Sequence, residues 1–312
     1  MSDPGPARAL YSTELPANGY AWWYLDVWNP ETNQGLVIIL LLGSVFSPGY
    51  ARARKRGPAE PLDFCAVNVA LYGRPKRWAM TEHPRAAVER SADGLRIGRT
   101  AWAWEGSTLV VKFDERTAPW PGRVVGEVRL EPAFMFDSGH FLDSAGLHRW
   151  WPVAPVARAE VRLSRPEVAF SGLAYHDQNT GTEALEGSFR DWDWSRAGDG
   201  QRTEVLYDVR EIEGGERRLG RRFFADGRIE AMDPQEEMAL PSGFWGIKRA
   251  TRRDPGEGVV MRHSLEDTPF YTRAALERGG LHGTHESLDL RRFDRAWVRF
   301  LLPFRMRGGF RW

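Results

Sequence analysis

Short apolar runs, each cut off by turn residues, are what most constrain the fold of this chain. Gly35–Leu42, Cys65–Tyr72, Leu109–Phe113, Arg123–Leu130, Ala157–Leu163, Glu204–Val209, Arg217–Phe224, Phe244–Arg249 and Val259–Ser264 all read as strands. Asp93-Gly94, Gly214-Gly215 and Asp226-Gly227 fall between such runs, as the turns of antiparallel hairpins do. Few segments hold an i, i+3, i+4 apolar period beyond two turns, and Tyr271–Glu277 is the best short helix candidate. The expectation is an all-β chain of sandwich or up-and-down barrel type, with few short helices. At 312 residues it is long for one small barrel. Pro152 and Pro155 interrupt the middle, which predicts two β units, 1–155 and 156–312, with a ligand site near their junction.

Composition narrows the partners. Lys+Arg 43 against Asp+Glu 42 leaves a net charge of +1, so no bulk field favours nucleic acid. The one local basic cluster, Arg52–Arg56 (RARKR), reads as a solvated loop or as a contact for anionic lipid headgroups. A single cysteine, Cys65, excludes an internal disulfide framework and fits a reducing, cytoplasmic compartment. It lies in an apolar run and is expected to pack as a small hydrophobe. MSDPGPARAL has no basic start followed by an apolar core, so no signal peptide is expected. Leu36–Phe46 is about half the length that spans a bilayer; it reads as a buried strand, with an interfacial dip as the alternative.

Several chemistries are set aside. The chain has no GxSxG elbow, no P-loop and no GxGxxG opening a helix. His282 and His285 are spaced like a metal pair and Glu286 follows, but further ligands at recognisable spacing are missing and GGLHGTHES reads as loop. No metal is expected there. Fourteen tryptophans point instead to large aromatic surfaces around a ligand, or to a Trp-rich β core.

The chemistry concentrates in two segments, His148-Arg149-Trp150-Trp151-Pro152 and Leu173–Arg196. The second holds Tyr175-His176-Asp177 and Trp192-Asp193-Trp194. Asp177 lies in YHDQNTG, whose composition suits a turn. Alternatively it is a proton donor, since a carboxyl among aromatic rings loses solvation of its charged form and stays protonated nearer neutrality. His148, beside Trp150 and Trp151, is expected to be partly buried, where it can orient a water or move a proton. Trp150 and Tyr175 are either core or ring faces for a developing cation, each contributing about 2 kcal/mol when desolvated. Trp192 and Trp194, two apart on a strand, share one face and form an aromatic platform, structural or ligand-facing. Trp151 and His176 complete the candidate contacts for an apolar substrate.

At this point the chain resembles a known family. Gly19-Tyr20-Ala21-Trp22-Trp23-Tyr24, Asn68-Val69-Ala70-Leu71-Tyr72-Gly73, His148-Arg149-Trp150-Trp151-Pro152, Trp192-Asp193-Trp194-Ser195-Arg196 and Leu265-Glu266-Asp267-Thr268-Pro269-Phe270-Tyr271 look like the carotenoid 1,2-hydratases, or hydroxyneurosporene synthases. The likeness covers nearly the whole chain, in order. It implies a lipocalin-related β architecture and carotenoid biosynthesis in photosynthetic bacteria. It also implies cofactor-independent addition of water to the terminal double bond of an acyclic carotenoid such as neurosporene or lycopene. The family's active-site positions carry over as His148 and Trp150, and as Tyr175 and Asp177. Such a substrate lives in a bilayer, so peripheral contact with the inner, photosynthetic membrane is expected, with Leu36–Phe46 and Arg52–Arg56 as candidate contacts. Two rival readings share these residues: a cyclase that traps the same cation intramolecularly, and a non-catalytic lipocalin-like carrier.

Overall fold

Both faces of Leu36–Leu42 are apolar, and a strand of that kind needs cover on both sides. The computed structural model, which describes residues 11–307, supplies it. The MSDPGPARAL segment lies outside the described residues. The chain forms two compact units. Unit 1 comprises residues 11–141, 147–184 and 301–307, and unit 2 comprises 142–146 and 185–300.

Unit 1 carries twelve strands. The first six are β1 (Tyr20–Asn29), β2 (Gln34–Leu42), β3 (Cys65–Tyr72), β4 (Arg77–His83), β5 (Val88–Arg90) and β6 (Gly94–Ile97). They continue as β7 (Thr100–Glu105), β8 (Thr108–Arg116), β9 (Arg123–Pro132), β10 (His140–Phe141), β11 (His148–Arg165) and β12 (Glu167–Gly181). The 12-stranded antiparallel sheet runs β4-β3-β2-β1-β12-β11-β9-β8-β7-β6-β5, with β10 on β11. Just past β8, Ala118 N–H donates to the Trp78 carbonyl of β4 (2.9 Å), so the sheet curls into a nearly closed barrel. One face of the longer strands fills an apolar core that includes Trp23, Leu25, Leu36, Val69, Trp102 and Val128. Cys65 packs into this core with its Sγ 3.3 Å from the Leu62 carbonyl, and burial pushes its thiol up to about 12, which leaves it unreactive.

Unit 2 carries β13 (Phe189–Gly198), β14 (Arg202–Glu211), β15 (Glu216–Phe224), β16 (Ile229–Ala231) and β17 (Glu236–Leu240). It continues with β18 (Arg249–Arg253), β19 (Val259–Asp267), β20 (Tyr271–Arg278) and β21 (Leu281–Asp289). A 7-stranded sheet runs β16-β15-β14-β13-β21-β20-β19. The β17–β18 hairpin is tied to that sheet by polar bonds: Ala250 N–H donates to Asp193, and the Ala250 carbonyl bonds His285 Nε2 (2.8 Å). Buried ion pairs join Arg252 to Asp208, Arg273 to Glu266 and Glu286, and Arg278 to Glu257. Helices are short: α1 (Pro48–Arg54), α2 (Leu185–Ser188), α3 (Leu290–Phe293) and α4 (Ala296–Leu301).

The all-β expectation holds, while several local expectations change. Tyr271–Glu277 is strand β20, because β19 and β21 pair with it on both sides and its apolar run fits either period. Phe244–Arg249 is mainly loop: Gly246 turns at φ +61°, and extended structure starts only at Arg249. His282 and His285 lie on strand β21, where a spacing of three sends them to opposite faces. The structure divides the chain at Ala184/Leu185, whereas β11 runs straight through residue 155. Pro152 and Pro155 fit inside β11 because its register with β12 shifts between Pro152 and Ala154 and again before Ala157. Leu36–Leu42 is interior strand and offers no rim for a bilayer.

Candidate functional site

Three neighbouring strands, β1, β12 and β11, build the candidate site in rows. Tyr20, Gly181 and His148 form one row; Trp22, Asn179 and Trp150 the next; Tyr24, Asp177 and Pro152 the third. Asp26 and Tyr175 stand opposite each other in the fourth. Residues paired across antiparallel strands share a face, so these side chains lie together, opposite the face that carries Trp23, Leu25 and Ala174 into the core. The i, i+2 spacings of His148/Trp150 and Tyr175/Asp177 are therefore the spacings a strand needs to place both members on one side. Asp177 is in the body of a 15-residue strand, although its local composition resembles a turn.

Hydrogen bonds converge on Asp177. Tyr175 Oη donates to Asp177 Oδ2 (2.8 Å), and Trp150 Nε1 donates to the same oxygen (2.8 Å). The indole and phenol are themselves adjacent, with Trp150 Nε1 3.2 Å from Tyr175 Oη. Asp177 is 3% exposed and Trp150 and Tyr175 are fully buried. Burial, and then the Asp177 carboxyl beside it, hold the Tyr175 phenol well above its ordinary value, so Tyr175 is a neutral donor and keeps its proton.

His148 is also fully buried. Its Nδ1 shares a 2.8 Å hydrogen bond with Tyr20 Oη, and its Nε2 lies 3.9 Å from Glu183. The row between them is open only because residue 181 is glycine: an added Cβ would meet Tyr20 at 2.4 Å and His148 Nδ1 at 2.6 Å. The His148 row is four residues from the Asp177 row, about 13 Å of strand rise, with Trp150 between.

The other candidates go elsewhere. Trp151 and His176 are one residue out of phase, on the core face. His176 packs against Trp102 and Trp104, and its Nδ1 bonds the Tyr24 carbonyl (2.8 Å). Burial lowers its imidazole to about 4, which keeps it neutral. Trp192 and Trp194 belong to unit 2, on one face of β13, where Trp192 meets Phe189 and Tyr207 edge-on. Among the described residues no group of three or more His, Cys, Asp or Glu side chains is arranged to hold a metal ion.

Sequence reasoning did not single out Tyr20, Tyr24 or Asp26. A signal was present: Tyr24-Leu25-Asp26 repeats the Tyr-x-Asp spacing of Tyr175-His176-Asp177.

Comparison with known proteins bears on what this arrangement serves. A family model described as carotenoid hydratase CrtC matches residues 38–312. The acyclic carotenoid 1,2-hydratase of Thiocapsa roseopersicina is 45% identical over 308 residues, covering 96% of this chain and 76% of that protein. The acyclic carotenoid 1,2-hydratase of Rubrivivax gelatinosus is 43% identical over 306 residues, covering 95% and 75%. Among solved structures, a putative AttH from Nitrosomonas europaea is similar with a TM-score of 0.59 and 12% identity, covering 86% of this chain and 91% of that one. CghA is similar at 0.53 and 12% identity, covering 93% of each. At such identities the likeness is one of lipocalin-like fold alone.

Proposed function

The chain belongs to the carotenoid hydratase CrtC family, and from that premise we propose how its residues add water to the terminal double bond of an acyclic carotenoid. It is a hydratase of acyclic carotenoids. The mechanism rests on one observation: two neutral donors, Tyr175 and Trp150, converge on a single oxygen of buried Asp177.

With both donors on Oδ2, the neutral carboxyl carries its proton on Oδ1. Burial favours that neutral form by withholding water from the charge. Asp177 delivers this proton to C2 of the end group, and a tertiary cation forms at C1. As the proton leaves, charge develops on the carboxyl, and Tyr175 and Trp150 already donate to it without reorganisation. The indole and phenol ring faces stabilise the cation in a water-poor setting. One water adds through oxygen to C1 and gives its proton up, leaving a tertiary alcohol. The Asp177 carboxylate, left charged beside the reacting carbons, is the base within reach of this water and takes its proton. His148, held by Tyr20 about 13 Å of strand rise away, lies beyond contact with the same water. The route consumes one water and no net proton, since the proton the water gives up replaces the one Asp177 delivers, and it needs no bound cofactor.

Incubation with neurosporene or lycopene in detergent tests this reading. The product gains the mass of one water. A product of unchanged mass but altered structure would mark a cyclase, and a bound ligand recovered unaltered would mark a carrier.

The substrate's solubility requires access to a bilayer. No helix among the described residues is long and apolar enough to cross one. Unit 2 instead exposes aromatic rings: Phe244 is 90% and Phe300 66% exposed, and Trp245 stacks on Trp297 (6.0 Å). Exposed Lys248, Arg291 and Arg295 lie on the same loop and helical segment, suiting an anionic lipid surface. Membrane contact through these rings predicts that Phe244→Ser with Trp297→Ser lowers co-sedimentation with anionic vesicles about tenfold or more. Turnover of detergent-dispersed substrate stays at the wild-type level. Unchanged vesicle binding would remove this surface from the account.

A further inference from the structure

The Asp177 pair has a counterpart. Tyr24-Leu25-Asp26 on β1 lies antiparallel to Tyr175-His176-Asp177 on β12, with Tyr24 opposite Asp177 and Asp26 opposite Tyr175. Each tyrosine donates to the aspartate two residues on: Tyr24 Oη to Asp26 Oδ2 at 2.9 Å, and Tyr175 Oη to Asp177 Oδ2 at 2.8 Å. The two phenol rings meet edge-on, 6.2 Å apart. Asp26 is 1% exposed, so the face carries two buried carboxyls related by a local two-fold exchange of Tyr and Asp.

We infer that Asp26 is a positioning residue for the hydration, its carboxylate keeping the proton on Asp177 until the alkene takes it. This rests on the reading of Asp177 as proton donor. The donors that make Asp177 a good acid, Tyr175 and Trp150, also favour its ionised form, so a second influence is needed to keep it loaded. A carboxylate one diagonal away supplies it, because two negative charges on one water-poor face oppose each other. Diagonal partners on neighbouring strands stand about 7 Å apart, close enough for the charges to be felt. The Tyr175 phenol, raised first by burial and then by Asp177, is raised in smaller part by Asp26, which therefore lies within electrostatic reach of this cluster. The other ionisable groups on the face are Tyr20 and His148 with Glu183 beside it, and His140, whose ring lies 5.5 Å from Trp150. On the β2 side Val37 and Ile39, opposite Asp26 and Tyr24, are apolar.

The test is the turnover–pH profile in detergent. Activity requires protonated Asp177, so it falls as pH rises through the Asp177 titration, and a negative neighbour holds that descending limb at higher pH. Asp26→Asn should move the limb down by about one to two pH units and leave the acidic plateau near its wild-type height. Asp26→Glu should return the limb toward its wild-type position. Tyr24→Phe, which removes only the hydroxyl that stabilises the Asp26 charge, should shift it the same way by less, and serves if Asp26→Asn does not fold. A limb unmoved in these variants, or activity lost at every pH in folded Asp26→Asn, would overturn the assignment. Asp177→Asn separates the two claims: retained turnover there refutes the proton-donor reading itself, whereas its loss alongside an unmoved Asp26→Asn limb refutes only the role of Asp26.

Discussion

Asp177→Asn is expected to lower carotenoid hydration by about a thousandfold, roughly 4 kcal/mol of transition-state stabilisation, while the protein folds with unchanged circular dichroism. The amide keeps the shape of the carboxyl, and its oxygen still accepts from Tyr175 and Trp150, so the cluster stays assembled. It has no proton acidic enough for an isolated alkene. The reaction should therefore stop before the cation, and stronger substrate binding should not restore it. Turnover within about threefold of wild type would move the proton donor elsewhere on this face.

The largest stability effect is expected in unit 2. Arg252 is 1% exposed, and its guanidinium donates to both Asp208 oxygens (2.7–3.0 Å), to Asp233 (2.9 Å) and to the Pro234 and Leu219 carbonyls. It ties β18 to β14, and burial already pushes the Asp208 carboxyl up while Arg252 opposes that rise. Arg252→Met leaves Asp208 and two carbonyls buried without this cation. The cost should be about 3–5 kcal/mol in denaturant unfolding, as for other buried pairs broken on one side. Adding Asp208→Leu should recover much of it, because the desolvated charge is then gone. A loss below about 1 kcal/mol for Arg252→Met would show that the ionic cluster contributes little to holding the hairpin.

How far the sequence could be read follows from what each signal depends on. The hairpin turns at Asp93-Gly94, Gly214-Gly215 and Asp226-Gly227 depend on local backbone chemistry, and they stand where expected. The pairing of His148 with Trp150 and of Tyr175 with Asp177 was implied by the family resemblance alone, and the strand period of β11 and β12 gives its physical reason. The extent of β11 and β12 was not legible. Two prolines and an Asn-, Asp- and Gly-rich stretch look like breaks, but register shifts and the partners on either side keep both strands extended. Tyr271–Glu277 shows the same limit, since an apolar run that fits two periods is decided by its neighbours. The charged interior of unit 2 was equally hidden: Arg252, Arg273 and Arg278 look like surface residues until carboxylate partners reach them from elsewhere in the unit. Asp26 was missed because its significance lies in register, Tyr24 opposite Asp177, which no single segment contains.

The central claim is that Asp177 protonates the alkene before water adds. The most direct measurement runs wild type and Asp177→Asn side by side on neurosporene or lycopene, in water carrying both deuterium and heavy oxygen. Wild-type product should carry one heavy oxygen in the tertiary hydroxyl and one non-exchangeable deuterium at C2, and the Asp177→Asn reaction should return unlabelled substrate. The same doubly labelled alcohol from Asp177→Asn at a wild-type rate would contradict it.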